Sequence, residues 1–344
     1  MAATTNSPQR VVVADDSRLM RRILSDALGR QGFDVVATAA DGDEALAACN
    51  EHRPDALTLD LAMPGMDGIG VLRALRAGRA RPVPVVVVSA FSPVHGARAV
   101  DALAEGAFDL VSKPSFGESL DSFTSELGRK VREAAHSGRR AAVPAAPRRA
   151  PRRAVTIGKR LVVIACSTGG PKALGDLIPR LPSPLGAGVV IVQHMPAGFT
   201  ASLAGRLDAA SALAVTEARG GELLAPGAAL IAPGGSHLRL TGDRRAALSD
   251  DEPVGGLKPR ADVTIEDAAR HWGSRIVLLV LTGMGRDGLA GAMAVRSAGG
   301  RVLVEAESTC TVYGMPRAVA EAGLADEILP LNELAAAIVR EAGR

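Results

Sequence analysis

The feature that most limits how this chain can fold is a succession of short, almost wholly apolar runs, each followed by a segment of helical length. "VVVADD", "DALTLDLAMP", "PVPVVVVSA", "KRLVVIACS", "GVVIVQHMP" and "RIVLLVLTGMG" are the clearest. A strand with one wet face alternates apolar and polar residues. A run that is apolar throughout is buried on both faces, the situation of a strand in a parallel sheet covered by helices on each side. Parallel neighbours need a crossover, and segments such as "RLMRRILSDALGR" and "GDEALAACNEH" have the length and pattern to supply it.

The alternation occurs twice. After a short tail, residues 1–9, the span 10–130 holds five β–α units and predicts a flavodoxin-like (βα)5 domain with a parallel sheet. Residues 159–344 hold a second set and predict a doubly wound, Rossmann-like α/β/α domain whose sheet is mostly parallel. A hairpin is expected at "ALIAPGGSHLRL", where Gly-Gly joins two strand-like runs. Between them, residues 131–158 include a stretch of Ala, Pro, Arg and Gly with no apolar period, read as a linker. A chain of 344 residues is also of two-domain length.

Charge confirms that division. The net charge is +3, yet residues 136–160 carry eight Lys and Arg and no acid, so the rest of the chain is net acidic. A solvated spacer is the plain reading of such a run, and an anionic docking surface the other. With aromatic residues at 2%, no basic face interleaved with aromatics is available for nucleic acid, which is not expected as a partner. The three cysteines, Cys49, Cys166 and Cys310, form neither a CxxC nor a disulfide frame. No signal peptide or membrane-length apolar run is present, so the expected setting is cytoplasmic, without membrane insertion.

The chemistry-bearing residues fall where the apolar runs end. Asp15 and Asp16 follow "VVVA", and Asp60 follows "ALTL", so three carboxylates converge at neighbouring strand ends. Oxygen-only ligands suit Mg²⁺, and Asp60 then becomes a nucleophile for a phosphoryl group. Ser89 ends "PVVVVS" and Lys113 lies in "VSKP", and both can contact phosphoryl oxygens. Any one of these acids alone reads as a cap or turn residue.

In the second half, Ser167 follows "LVVIAC" and precedes Thr-Gly-Gly-Pro. Locally this is a helix cap or an anion cradle, with Pro171 suited to the first turn. A base and its orienter favour a nucleophile instead. His194 ends "GVVIVQ", and Asp287 lies in "TGMGRDG" after "RIVLLVL", so Ser, His and Asp can meet at one carboxyl edge. Glycines 169, 170, 283 and 285 let backbone N–H groups approach an oxyanion.

These motifs carry a resemblance. "DD", "DLAMPGMDG", "VSA" and "KP" are similar to the receiver domain of two-component response regulators over about residues 10–130. "STGGP", "QHMPAGFT", "IAPGGSHL", "LTGMGRDG" and "VYGMP" resemble, in order, the protein-glutamate methylesterase domain of the CheB family over roughly residues 159–340. The resemblance implies phosphorylation of Asp60 by a chemotaxis histidine kinase, with Mg²⁺ held by Asp15, Asp16, Asp60 and the backbone carbonyl of Ala62. It implies hydrolysis of glutamyl methyl esters on chemoreceptors through Ser167, His194 and Asp287, with deamidation of glutamines in some members, and no cofactor for the esterase. Backbone N–H groups near Thr168 and Met284 become the oxyanion donors. The expected enzyme is a monomer, recruited to receptor arrays, whose receiver covers the Ser167 crevice until Asp60 is phosphorylated. The alternative is a response regulator whose second domain only binds a partner or nucleic acid.

Two departures stand out. Leu110 occupies a position where many receivers carry Phe or Tyr, and "ACS" replaces the family's "GAS", placing Ala165 and Cys166 before the serine. Cys166 reads as a small buried filler rather than a nucleophile. His237 reads as structural or groove-lining, His52, His95, His136 and His271 as surface residues, and Trp272 as packing. Met195, Phe199, Met284 and Tyr313 line a substrate groove or pack the core, both open from sequence. Cys310 has no evident partner.

Overall fold

The structure, a computed structural model, describes residues 7–78, 83–90, 93–114, 120–137 and 159–343. The chain divides into two compact units, residues 1–141 and 142–344.

In the first unit, strands β1 (Arg10–Ala14), β2 (Asp34–Ala39), β3 (Ala56–Leu59), β4 (Val85–Ser89) and β5 (Asp109–Ser112) alternate with helices α1 (Arg18–Arg30), α2 (Gly42–His52), α3 (Gly68–Ala77), α4 (Pro93–Ala104) and α5 (Leu120–Ser137). The sheet order is β2-β1-β3-β4-β5 and every pairing is parallel. Val11, Val12, Val13, Leu57, Leu59, Val86, Val87 and Val88 are all buried, as runs apolar on both faces require. Helix α1 starts at the Ser17 cap and α2 at the Asp41 cap, each side chain accepting from a first-turn N–H. The order reverses between β1 and β3, so their carboxyl ends open a crevice there. Helix α5 continues to Ser137, so residues 131–137, assigned to the linker by sequence, form its last two turns. The remaining linker residues, 138–158, lie outside the described residues, as do residues 1–6 of the tail and the side chain of His95.

In the second unit, a seven-stranded sheet has the order β14-β13-β12-β6-β7-β9-β8. Its strands are β6 (Leu161–Cys166), β7 (Val189–Gln193), β8 (Ala214–Glu217), β9 (Ala228–Ile231), β12 (Ile276–Val280), β13 (Arg301–Glu305) and β14 (Glu327–Leu329). All its pairings are parallel. Helices α6 (Gly170–Leu177), α7 (Phe199–Ala210), α8 (Ala261–Trp272), α9 (Leu289–Ser297), α10 (Met315–Glu321) and α11 (Leu331–Ala342) make the crossovers and the final layer. The first strand, β6, lies in the middle, with β7 on one side and β12 on the other, which again puts the switch point where the candidate site falls. Trp272 is buried in the core cluster that also holds Ile265 and Ile276.

The expected hairpin at "ALIAPGGSHLRL" does not form. Strand β9 joins the large sheet in parallel, while β10 (His237–Leu240) pairs antiparallel with β11 (Ala246–Ser249) in a separate ribbon. Gly234 is required for close approach rather than for a hairpin turn: a Cβ there would lie 2.4 Å from the Pro196 carbonyl. Leu230, Ile231 and Ala232 are buried, as in any inner parallel strand.

Two carboxylate-bearing crevices at the candidate functional site

In the first unit the three acids lie at the carboxyl ends of β1 and β3. The Asp60 N–H donates to the Ala14 carbonyl at 2.9 Å, and the Asp15 N–H to the Ala39 carbonyl at 3.1 Å, tying both residues to the strand ends. Carboxylate oxygens of Asp15, Asp16 and Asp60 lie within 4.8 Å of one another, a cluster able to hold a metal ion. Lys113 bridges two of them, its Nζ 2.7 Å from Asp15 Oδ2 and 2.9 Å from Asp60 Oδ2. Burial pushes the Asp15 carboxyl up against the pull of Lys113. Burial opposes the charge on Lys113, but the two carboxylates hold its ammonium above the ordinary lysine range. The Lys113 N–H donates to the Ser89 carbonyl at 2.8 Å, so both phosphoryl-contact candidates stand side by side. Ala62 is exposed two residues beyond Asp60. Arg21 was not singled out by sequence; its Nη1 donates to the carbonyls of Asp15 and Asp16 at 2.7 and 3.0 Å. Leu110, where many receivers carry an aromatic residue, is buried within β5.

The second crevice is built on three adjacent strand ends. The His194 N–H donates to the Cys166 carbonyl at 3.0 Å, and the Ser167 N–H to the Thr282 carbonyl at 3.0 Å, locking the segments after β6, β7 and β12 together. Ser167 is not the cap of α6. Gly169 holds that position at φ +80°, with Pro171 in the first turn as expected. A Cβ at Gly169 would meet Thr311 Oγ1 at 2.4 Å, so the left-handed turn and the lack of space both require glycine there. Gly283 is equally constrained, since a Cβ would lie 2.8 Å from Ser167 Cβ.

His194 Nε2 lies 2.6 Å from Asp287 Oδ2. Asp287 also accepts from the N–H groups of Ala261 at 2.7 Å and Asp262 at 2.9 Å, the first turn of α8, and from Gly288 at 3.0 Å. A helix N-terminus presents unpaired N–H groups and a positive dipole end, and a carboxylate satisfies both. Burial alone would raise the Asp287 carboxyl; the hydrogen bond and charge of His194, with the backbone donors, hold it well below the ordinary carboxylate range. Arg260 and Asp262 are the neighbours the sequence did not disclose. Arg260 Nε is 3.4 Å from Asp287 Oδ1, and its Nη2 is 2.8 Å from Asp262 Oδ2. Burial, with Asp287 beside it, pushes the Asp262 carboxyl up.

Thr282 is a further hub. Its Oγ1 donates to the Thr168 carbonyl at 3.0 Å and its N–H to Glu305 Oε2 at 2.8 Å. Glu305 is fully buried, and desolvation raises its carboxyl. Cys310, which had no partner in sequence, lies with Sγ 3.8 Å from the Glu305 carbonyl. Cys166 is fully buried, and burial pushes its thiol up, consistent with a filler. Ala165 is fully buried in β6, and its Cβ is 3.9 Å from where a Cβ on Gly288 would stand.

The other histidines sort as structure dictates. His237 is buried, its Nδ1 accepting from the Arg260 N–H at 3.2 Å and its Nε2 donating to the Glu252 carbonyl at 3.3 Å, so it braces the entry to α8. His136 and His271 are exposed and His52 is half-buried. Of the groove candidates, Phe199 is fully buried and belongs to the core, Met195 is buried, and Met284 and Tyr313 are half-buried.

Comparison with known proteins follows the same division. The CheB methylesterase family profile matches residues 162–338, and the response regulator receiver domain profile matches residues 11–123. A Symbiobacterium thermophilum protein called protein-glutamate methylesterase/protein-glutamine glutaminase is 45% identical, over 100% of this chain and 99% of its own length. A Myxococcus xanthus protein of the same description is 47% identical over 98% and 99%. The crystal structure of the Thermotoga maritima CheB methylesterase catalytic domain is 42% identical and superposes with a TM-score of 0.52, covering 54% of this chain and 99% of that one.

Proposed function

The chain belongs to the CheB methylesterase family and carries a response-regulator receiver domain ahead of its catalytic domain; on that premise we propose that Ser167, His194 and Asp287 hydrolyse glutamyl methyl esters on chemoreceptors under control of Asp60. The non-catalytic alternative finds no support among these relatives. The observation that carries the reading is Asp287, a buried carboxylate fixed by backbone donors and turned onto His194.

Because Nε2 faces Asp287, Nδ1 is the nitrogen left to take the Ser167 proton. Ser167 Oγ then adds to the ester carbonyl, and the N–H groups near Thr168 and Met284 receive the developing oxyanion. His194 returns the proton to the departing methoxide, which leaves as methanol. A water molecule, deprotonated by His194, adds to the acyl-serine carbonyl; the bond to Ser167 Oγ breaks, His194 returns the proton to that oxygen, and the glutamate leaves. A glutamine side chain enters by the same route and releases ammonia, consistent with the glutaminase activity in the relatives' names.

In the receiver, an Asp60 carboxylate oxygen attacks the phosphorus of a phosphohistidine on a partner kinase, the P–N bond breaks and the imidazole departs, and Lys113 and Ser89 contact the oxygens of the transferred phosphoryl group. The residues fit a divalent cation: three carboxylates lie together, and Asp15 Oδ2, buried, has no well-aligned hydrogen-bond donor although Lys113 is within ion-pair distance. Asp15, Asp16, Asp60 and the Ala62 carbonyl would hold Mg²⁺, which when bound neutralises the charge of the phosphoryl oxygens. Among the described residues no helix is long and apolar enough to cross a membrane. The proposed substrate and kinase, both parts of a receptor array, are the ground on which we place the protein in the cytoplasm beside such arrays. Methanol release from a methylated chemoreceptor fragment tests the esterase: it should disappear in Ser167→Ala, and persistence would remove Ser167 from the reaction.

A further inference from the structure

We propose that Gln193 is a positioning residue for the ester hydrolysis, clamping the nucleophile, the base and one oxyanion donor with a single side-chain amide. The proposal rests on the assignment of Ser167 and His194 made above.

Gln193 ends β7 and is 2% exposed. Its Nε2 donates to the Ser167 carbonyl at 3.0 Å and to the His194 carbonyl at 2.9 Å. Two carbonyls facing one end of the amide fix its orientation, since only the NH₂ end can donate. The Ser167 carbonyl also accepts from the Gly170 N–H at 2.7 Å, so it is held by two donors at once.

A trans peptide is planar, and its C=O and N–H point in opposite directions. The Ser167 carbonyl therefore shares a rigid plane with the Thr168 N–H, and clamping the oxygen aims that N–H. The same device serves the other side of the crevice. The Gly283 carbonyl, in one plane with the Met284 N–H, accepts from the N–H groups of Gly314 at 3.1 Å and Met315 at 2.8 Å. There the clamp is all backbone; beside Ser167, one of the two donors is a side chain and can be removed.

Gln193 Oε1 is buried with no hydrogen-bond partner and lies 2.0 Å from where a Cβ on Gly170 would stand, so Gly170 leaves the space the amide occupies. A buried amide oxygen without a donor is costly. A residue kept there purely for packing would be apolar.

The test uses the full chain and a purified chemoreceptor fragment with tritiated glutamyl methyl esters. In Gln193→Met, kcat should fall about 10–100-fold with KM within about twofold, because aim at the transition state is lost and ground-state binding is kept. A kcat within about twofold of wild type, or a rise in KM alone, overturns the proposal. If thermal melting shows that Gln193→Met does not fold, Gln193→Glu decides. An ionised carboxylate cannot donate to the carbonyls, whereas a protonated one donates to one of them. The ratio of Gln193→Glu to wild-type kcat should then rise as pH is lowered from about 8.5 to about 6, and a flat ratio overturns the proposal. Ser167→Ala is run alongside. Retained activity there removes the serine assignment and the clamp together, whereas a dead Ser167→Ala with a normal Gln193→Met removes the clamp alone.

Discussion

Both units bury carboxylates at the carboxyl edge of a parallel sheet, and they hold them by different means. In the receiver, Asp15 and Asp60 share one ammonium, Lys113 Nζ, with a single backbone N–H, that of Ser17, on Asp15 Oδ1 at 2.9 Å. In the catalytic unit, Asp287 is held by three backbone N–H groups and one imidazole, with the Arg260 guanidinium 3.4 Å away. A site that must accept a charged phosphoryl group needs partners that can be exchanged, and a long lysine side chain can turn from carboxylate to phosphoryl oxygen. A site for acyl transfer gains from donors that do not move, since a fixed dipole costs no reorganisation as charge develops.

The largest effect expected from this contrast is at Asp287. Asp287→Asn should lower kcat for methanol release by about 10³-fold, because an amide accepts less strongly from His194 and its NH₂ group would face donors. Preserved activity would mean that the backbone cradle is structural only. Next comes Lys113→Met, which leaves two buried carboxylates without a counter-charge and should destabilise the receiver by about 3 kcal/mol, read from denaturant unfolding. Mg²⁺ should bind this variant more tightly than wild type in calorimetric titration, since Lys113 no longer competes for the acids. Weaker binding would show that the lysine supports the cluster instead of exchanging with the cation.

Gly170→Ala sharpens the comparison from the catalytic side. Its methyl group would displace Gln193, and kcat should fall by about 10-fold, with no change in the phosphodonor response measured as a ratio. The smallest effect is expected at Glu133 on α5, where burial pushes the carboxyl up to about 7. A carboxyl raised in the folded state stabilises while protonated, and that contribution is lost as pH rises from the ordinary carboxylate range through about 7. Glu133→Gln should therefore stabilise the receiver by about 1 kcal/mol at pH about 8, with the gain vanishing near pH 5. An equal gain at both pH values would rule out titration as its cause.

The sheets and their strand-end acids were legible in the sequence for one reason: a run apolar on both faces has little choice but an inner parallel strand, whose carboxyl end is then a known place. Asp15, Asp60, Ser167, His194 and Asp287 were found that way. Gly-Gly misled at residues 234–235, because close approach to Pro196 and a hairpin turn call for the same residue. Phe199 was ambiguous because a helix start beside the crevice can face inward or outward; it faces inward. Arg260, Asp262, Gln193 and Thr282 were missed because each has a partner distant in sequence that only the fold brings near. The Thr282 hydroxyl reaches a carbonyl 114 residues away in sequence, and no local pattern records that.

The most direct test of the whole account is methanol release from methylated chemoreceptor with and without acetyl phosphate and Mg²⁺, in wild type, Asp60→Asn and Ser167→Ala. Release that rises with phosphodonor in wild type, does not rise in Asp60→Asn and is absent in Ser167→Ala is the expected result. Equal stimulation of wild type and Asp60→Asn, or release that survives in Ser167→Ala, would contradict it.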